Sequence, residues 1–280
     1  MKMIMSFVLA GMSVVGISQE VQTVDHAEKA LILVRVSEGG FTENQIAQLY
    51  AAAKNVVGIK QEHERRISEL KRAGAQLEQI VAILATGRQI SDEQKGLLER
   101  AVRDREQANT QLRERIEAEV RSVFGTLNDA QKVRMGASDE TKRRVEEMMN
   151  SLRNTSPQEW NRVRDNIAGT LIRSQMRNYR RTQETALRQM RQSGASQEQI
   201  RRQERANQDE ERQMRTSAIA YVDRMRNGNT RQLQEFEQRL TIEVQGQESL
   251  NRRVFDYIRN IITSDSALDA LSQRIAGSGR

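Results

Sequence analysis

The sequence predicts an all-α protein built from long amphipathic helices that pair as antiparallel hairpins. A capping phrase recurs along the chain, apolar residues follow it at steps of three and four, and no segment alternates polar and apolar residues long enough to form a strand. The composition is 37% hydrophobic, 4% aromatic and 30% charged, which suits helices sharing narrow apolar seams better than one thick core. We expect an elongated or cradle-like shape, with the option of two tandem hairpin units.

The recurring phrase is an apolar or small residue, then Ser, Thr or Asn, two variable residues and Gln. In a capping box the first polar side chain accepts a hydrogen bond from the backbone N–H three residues on, and the Gln side chain reaches back to the cap. Each copy therefore predicts a helix start. The caps are Thr42 (with Gln45), Ser91, Asn128 (with Gln131), Ser196 and Asn229, and Ser156 before Pro157 is a further predicted start.

The first 18 residues have the pattern of an export signal. Lys2 gives a positive start, residues 3–17 form a mostly apolar run, and Gly16 and Ser18 supply the small residues that a signal peptidase requires. The run is shorter than the roughly 20 residues that span a bilayer. We expect residues 1–18 to be a cleaved signal peptide, the mature chain to have no transmembrane span, and the protein to be periplasmic or secreted. An uncleaved anchor and an ordinary buried helix are the alternatives.

Residues 19–136 form the first predicted unit, a helical hairpin with a short helical lid. Its first long helix starts at Thr42 and carries a heptad seam over residues 46–70, in which Lys60 is a polar interruption expected to face a carboxylate of the second helix. That second helix starts at Ser91 and carries its seam over residues 98–123. Packing antiparallel against the first helix is its simplest arrangement.

Residues 137–280 form the second predicted unit, which holds the excess of positive charge. Residues 141–280 contain 26 Lys and Arg against 18 Asp and Glu, whereas residues 19–140 contain 18 against 20. The pattern predicts a third long helix from Ser156 to Gln192 and a fourth from Ser196, with shorter helices beyond. Residues 73–80 resemble residues 193–200, and either a duplication or convergence of similar helices explains this.

Familiar catalytic and metal-binding patterns are missing from the sequence. It has no Cys, two His residues that lie in no ligand cluster, no Gly-x-Ser-x-Gly, no His-Glu-x-x-His and no glycine-rich phosphate loop. We therefore expect no enzyme activity, no cofactor and no metal site.

An Arg-rich stretch supplies the candidate binding residues. Residues 160–226 contain 15 Arg against eight acidic residues. Because Arg pairs well with carboxylates and phosphates, one interpretation is a basic face for acidic client loops, lipid headgroups or another polyanion. The other is that interleaved Arg and Glu solvate a long helix. The lack of an aromatic-rich platform disfavours nucleic acid. The candidate partner-binding residues are Met176, Tyr179, Arg180, Arg181, Arg201 and Arg202.

Two copies of the capping phrase carry a family resemblance. Residues 41–45 read FTENQ and residues 127–131 read LNDAQ, which resembles the Leu-Thr-x-x-Gln hallmark, typically present twice, of the Spy/CpxP group of periplasmic stress proteins. The resemblance covers roughly residues 41–135, with Phe41 in place of the hallmark Leu and Asn128 in place of Thr. It implies a curved, dimerising helical cradle that shields unfolded exported proteins, and in some members repression of a stress sensor or metal binding.

The leading hypothesis is an exported, ATP-independent chaperone-like or stress-response protein. It would bind unfolded or envelope proteins through apolar contacts and Arg attraction, with a homodimer as one option. One alternative is a structural coiled-coil protein of the cell envelope, in which the seams at residues 46–70 and 98–123 pair between chains. The other is an Arg-rich binder of anionic surfaces, including a membrane surface.

Overall fold

The computed structural model describes the backbone of residues 14–73, 82 and 91–278, and the side chains of residues 24–70, 82 and 91–277. These residues form eleven α-helices and no strand, so the all-α prediction is confirmed. The helices are α1 (Val14–Gly39), α2 (Glu43–Ala73), α3 (Asp92–Phe124), α4 (Asp129–Gly136), α5 (Asp139–Asn154), α6 (Trp160–Leu171), α7 (Arg173–Gln192), α8 (Gln197–Arg226), α9 (Thr230–Gln245), α10 (Gln247–Ile262) and α11 (Ala267–Ser278).

The signal peptide expected over residues 1–18 lies outside the described residues, except for the backbone of residues 14–18 in α1. Across the described ranges, no helix is both long and apolar enough to cross a membrane.

The capping phrase marks where most of the long helices start. At Ser91, Asn128, Ser196 and Asn229 the cap side chain accepts from the backbone N–H of the Gln three residues on, and that Gln side chain accepts from the cap N–H. Thr42 and Gln45 exchange the same two hydrogen bonds at the start of α2, at 2.9 and 3.3 Å. Satisfying these N–H groups is a local effect, which is why short sequence phrases locate the helix starts.

The third long helix departs from its prediction in two ways. Ser156 caps no helix, because residues 157–159 form a turn and α6 begins at Trp160. The expected continuous helix to Gln192 is also broken at Ile172, where φ is −107° and ψ is 9°. Ile167 and Met176 are both buried. Their nine-residue separation would place them on opposite faces of an unbroken helix. The break allows both side chains to be buried.

The chain divides into two compact units at different points from the boundary expected at residues 136–137. Unit 1 contains the described residues up to Leu127 and those from Phe255 onward, and unit 2 is Asn128–Val254. The chain therefore returns to unit 1 within α10. The reason is burial, since Ile258 and Ile261 on α10 and Leu271 on α11 are fully buried, and α11 packs on both α1 and α2.

In unit 1 the two heptad seams pair with each other. Helices α2 and α3 run antiparallel, as shown by Asn55 bonding Glu119 at 3.2 Å and Glu62 pairing with Arg115 at 2.6 Å. The two seams that the coiled-coil alternative would pair between chains thus lie against each other within one chain. Lys60 also differs from its prediction, because it donates to the Thr263 carbonyl oxygen at 2.7 Å and pairs with Asp265 at 3.0 Å rather than with a carboxylate of α3.

Unit 2 is built around a core contributed by α5, α6, α8 and α9. The buried core residues are Val145, Met149, Leu152, Ile167, Ala168, Ala218, Val222, Met225, Phe236 and Leu240. Helix α7 packs antiparallel against α8 through a turn in which Gly194 has a positive φ of 78°. Met176 is the one residue that α7 buries. Most of the α7 surface is therefore available for contacts outside the core.

Candidate binding groove

The two copies of the resembling motif occupy helix caps. Asn128 and Gln131 exchange their hydrogen bonds at 3.1 and 2.9 Å, as Thr42 and Gln45 do at the start of α2. Both Gln side chains are buried, and that of Gln45 also donates to the backbone carbonyl of Thr126 at 2.7 Å. These residues hold helix ends and loops in place, which is a structural role.

An open groove of about 700 Å³ lies along α6, α7 and α8 within unit 2. Its lining combines two kinds of side chain. The apolar lining, contributed by all three helices, is Ala168, Gly169, Ile172, Met176 and Ile219. The charged lining is Asp165, Arg173, Arg177, Arg180, Arg181, Glu184 and Arg215. Every charged lining residue is exposed.

Helix periodicity explains why arginines line the groove on α7. Arg173, Arg177 and Arg181 follow one another at four-residue steps, so they form one stripe along the helix. At a rise of 1.5 Å per residue, this Arg stripe spans about 12 Å. Met176, one residue before Arg177, is buried in unit 2. Its burial sets the rotation of α7 about its axis and therefore the side of α7 on which the Arg stripe lies.

Arg180 is the lining arginine whose charge is already satisfied. Its Nε donates to Glu211 Oε1 at 2.9 Å and its Nη2 to Oε2 at 2.7 Å, which is a bidentate pair across the α7–α8 hairpin. Hydrogen bonding from Arg180 lowers the pKa of Glu211 below its ordinary value, with a smaller contribution from Arg215. This pair fixes the register of the hairpin and leaves little charge on Arg180 for a ligand.

The three arginines of the Arg stripe have no such partner. Among the described residues, no carboxylate lies within ion-pair distance of Arg173, Arg177 or Arg181. The two acidic lining residues bond arginines that do not line the groove: Asp165 bonds Arg164 at 3.0 Å, and Glu184 bonds Arg188 at 2.6 Å. The groove therefore presents unneutralised positive charge beside an apolar surface.

A second groove of about 570 Å³ on the same hairpin has a different balance of charge. There Arg188 pairs with Glu184, and Arg191 pairs with Glu204 at 3.4 Å. Such pairs fit the interpretation that interleaved Arg and Glu solvate a long helix. The Arg stripe lacks such pairs, so the arginines of α7 are neutralised by neighbouring carboxylates on one surface and not on the other.

The candidate partner-binding residues are distributed unequally around the groove. Met176 and Arg181 line it, Met176 being mostly buried. Tyr179 does not line it and instead donates to Glu210 at 2.5 Å. Partial burial and the Glu210 carboxylate together raise the pKa of Tyr179 to about 12. Arg201 and Arg202 lie near the start of α8, away from the groove, where Arg202 pairs with Glu198 at 2.5 Å.

Nine of the groove residues were not among the sequence candidates. They are Asp165, Ala168, Gly169, Ile172, Arg173, Arg177, Glu184, Arg215 and Ile219. The four-residue spacing of Arg173, Arg177 and Arg181 is visible in the sequence and identifies the stripe, whereas adjacent pairs such as Arg201-Arg202 place their side chains on different parts of the helix surface. Nothing in the sequence identifies Gly169 as a groove residue, because its place in the groove depends on where α7 lies.

No group of three or more His, Asp or Glu residues is placed to hold a metal ion in the described part of the chain. No protein-family model, no curated protein and no solved structure matches this chain.

Proposed function

We propose that this protein is an exported, non-enzymatic, chaperone-like protein that binds unfolded or partner polypeptides in the groove along α6, α7 and α8. The observation that carries the proposal is the combination, in one open groove, of an apolar lining with the unpaired Arg stripe. An apolar surface with adaptable side chains such as Met176 tolerates varied partners, and exposed positive charge attracts acidic ones over a distance.

Two features of the sequence support this proposal. The capping phrases at Thr42 and Asn128 resemble those of the Spy/CpxP group, for which the resemblance implies shielding of unfolded exported proteins. The apolar run at residues 3–17 has the pattern of an export signal.

The proposal is tested by aggregation of a client protein. Light scattering of a reduced, unfolding client should fall when the purified protein is added at a comparable molar concentration. No reduction at several-fold molar excess would reject the proposal.

Charge-reversal variants locate the activity. Arg177→Glu with Arg181→Glu should weaken the suppression of aggregation, because it reverses two charges of the Arg stripe. Arg201→Glu with Arg205→Glu makes the same change in net charge at exposed positions on α8 away from the groove, and it should retain suppression. Equal loss in both variants would indicate a general effect of charge and not a binding groove.

Self-association is a second candidate function, favoured by one observation on α1. Val24, Leu31 and Val34 are 67%, 47% and 50% exposed, and their spacing of seven and three residues is that of a coiled-coil seam. A second copy of α1 is the occupant that such a seam fits. Sedimentation velocity should then show a dimer that Leu31→Glu converts to a monomer, and a wild-type monomer at high concentration would exclude it.

A further inference from the structure

We infer that the groove prefers one class of polypeptide: an acidic amphipathic helix whose carboxylates, spaced four residues apart, face Arg173, Arg177 and Arg181. This inference rests on the proposed function and narrows it, because it names the chemistry and the conformation of the segment that is bound.

The spacing of the Arg stripe is the first argument. Successive arginines lie about 6 Å apart along α7, since four residues of helix rise 6 Å. A helix with Glu at every fourth position carries its carboxylates at the same interval, so a parallel or antiparallel helix can place one carboxylate at each arginine. Arg donates two hydrogen bonds to a carboxylate in a planar fork, which favours such a pairing.

The apolar lining is the second argument. Ile172, Met176 and Ile219 lie beside the Arg stripe, so an incoming segment meets apolar surface next to positive charge. An amphipathic helix has the matching arrangement, an apolar face bordered by charged positions. Its apolar face would cover the lining while its flanking carboxylates reach the arginines.

Gly169 gives the groove its open side on α6. A Cβ built at Gly169 would meet no atom within 4 Å, so the residue borders empty space. Side chains of a bound helix can occupy that space. A Cβ can therefore be added at this position without displacing any neighbour of Gly169.

Other anions fit the groove less well. Among the residues that the structure describes, no aromatic side chain lines it, so the bases of a single-stranded nucleic acid would find no stacking surface. A lipid headgroup presents its phosphate at one point, whereas the Arg stripe distributes its charge over about 12 Å of helix. A polypeptide helix matches both the length of the charged stripe and the adjoining apolar lining.

The test uses a fluorescein-labelled synthetic helix of about 18 residues, which is five helical turns, and the full-length protein. Its apolar positions are Leu at heptad spacing and its flanking positions are Glu at four-residue spacing. The control peptide has Lys in place of every Glu. Fluorescence anisotropy should show that the Glu peptide binds at least about tenfold more tightly than the Lys peptide. The difference in affinity between the two peptides should become smaller as the salt concentration is raised.

Two variants then locate the bound peptide. Gly169→Leu should weaken binding of the Glu peptide by about tenfold or more by filling the groove, while its fold is retained because Leu favours a helix interior more than Gly does. Arg177→Glu with Arg181→Glu should lose the Glu peptide and gain the Lys peptide. Arg201→Glu with Arg205→Glu should bind the Glu peptide as the wild type does. Circular dichroism of each variant checks that helix content is unchanged.

Three results would overturn the inference. They are unchanged peptide binding by Gly169→Leu, no change in preference from the Glu peptide to the Lys peptide in the Arg177/Arg181 variant, and displacement of the peptide by phosphatidylglycerol vesicles or a single-stranded oligonucleotide.

The proposed function fails separately. If clients are protected from aggregation but the Glu peptide is bound no better than the Lys peptide, only the inference is lost. If the Glu peptide binds in the groove but no client is protected, the groove is a site for a specific partner and the chaperone-like proposal is lost.

Discussion

The side-chain amide of Gln45 donates a hydrogen bond to the backbone carbonyl oxygen of Thr126 at 2.7 Å, across 81 residues of sequence. The same side chain accepts from the Thr42 backbone N–H at 2.9 Å through Oε1. One amide therefore closes the cap of α2 and joins it to the loop that follows α3. A residue in the resembling motif has in this way both a local and a long-range structural role.

Gln45→Glu separates these two roles. A Glu side chain can still accept from the cap N–H, but it has no donor for Thr126 and places a carboxylate beside that carbonyl oxygen. Because Gln45 is only 8% exposed, we expect a loss of about 1–3 kcal/mol in the free energy of unfolding, measured by urea denaturation. Gln94→Glu is the control, since Gln94 belongs to the exposed capping box of Ser91 and should change stability little. Equal losses in the two variants would assign the whole effect to capping.

Capping explains both the success and the limits of the sequence predictions for the fold. The starts of α3 and α8 depend on residues within four positions of Ser91 and Ser196, so a short phrase contains the relevant chemistry. The break at Ile172 depends on the burial of Ile167 and Met176 in unit 2, which no local phrase records.

The unit boundary was unpredictable for a related reason. Helix α11 belongs to unit 1 because its apolar face packs on α1 and α2, which are more than 190 residues away in sequence. The groove shows the same division between local and distant information. The four-residue spacing of the Arg stripe is visible in the sequence of α7. The pairing of Arg180, in contrast, depends on Glu211 of α8, and it is this pairing that distinguishes Arg180 from the unpaired arginines of the stripe.

Gly136 should not tolerate a side chain. A Cβ at Gly136 would lie 2.7 Å from the backbone carbonyl oxygen of Leu250 and 2.9 Å from Val254 Cγ2, so α4 and α10 would have to separate. Gly136→Ala is expected to lower the free energy of unfolding by about 1–3 kcal/mol. Gly58→Ala, in open space on α2, should instead raise it by up to about 1 kcal/mol because Ala favours the helix interior. Thermal melts test this prediction, because the two variants should change the stability in opposite directions.

Tyr179 should titrate late in alkali. Its pKa is raised from 10.0 to about 12 by partial burial and by the Glu210 carboxylate that accepts a hydrogen bond from its hydroxyl group. Since the pKa is higher in the folded protein than in the unfolded chain, the neutral phenol contributes stability that is fully present below pH 10 and is lost as the pH rises through about 12.

Absorbance of the phenolate against pH measures this titration. Tyr179→Phe should remove a component that ionises near pH 12 in the folded protein. Tyr257, whose pKa burial and the Glu38 carboxylate also raise to about 12, should supply the second late component, removed by Tyr257→Phe. Loss of an early-titrating component in either variant would contradict the assignment.

Arg226 contacts both the chain's single Trp and the loop that precedes it. Its guanidinium carbon lies 4.3 Å from the centre of the Trp160 ring, and its Nη2 donates to the Thr155 carbonyl oxygen at 2.9 Å. Lys cannot reproduce a planar group that stacks on a ring while donating sideways. Arg226→Lys should therefore lower the free energy of unfolding by about 1–2 kcal/mol and shift the Trp emission, because both the ring contact and the hydrogen bond weaken. Arg231→Lys, at an exposed pair with Glu235, is the matched control and should leave both quantities unchanged. Emission that is identical in wild type and Arg226→Lys would mean that the guanidinium does not stack on Trp160 in solution.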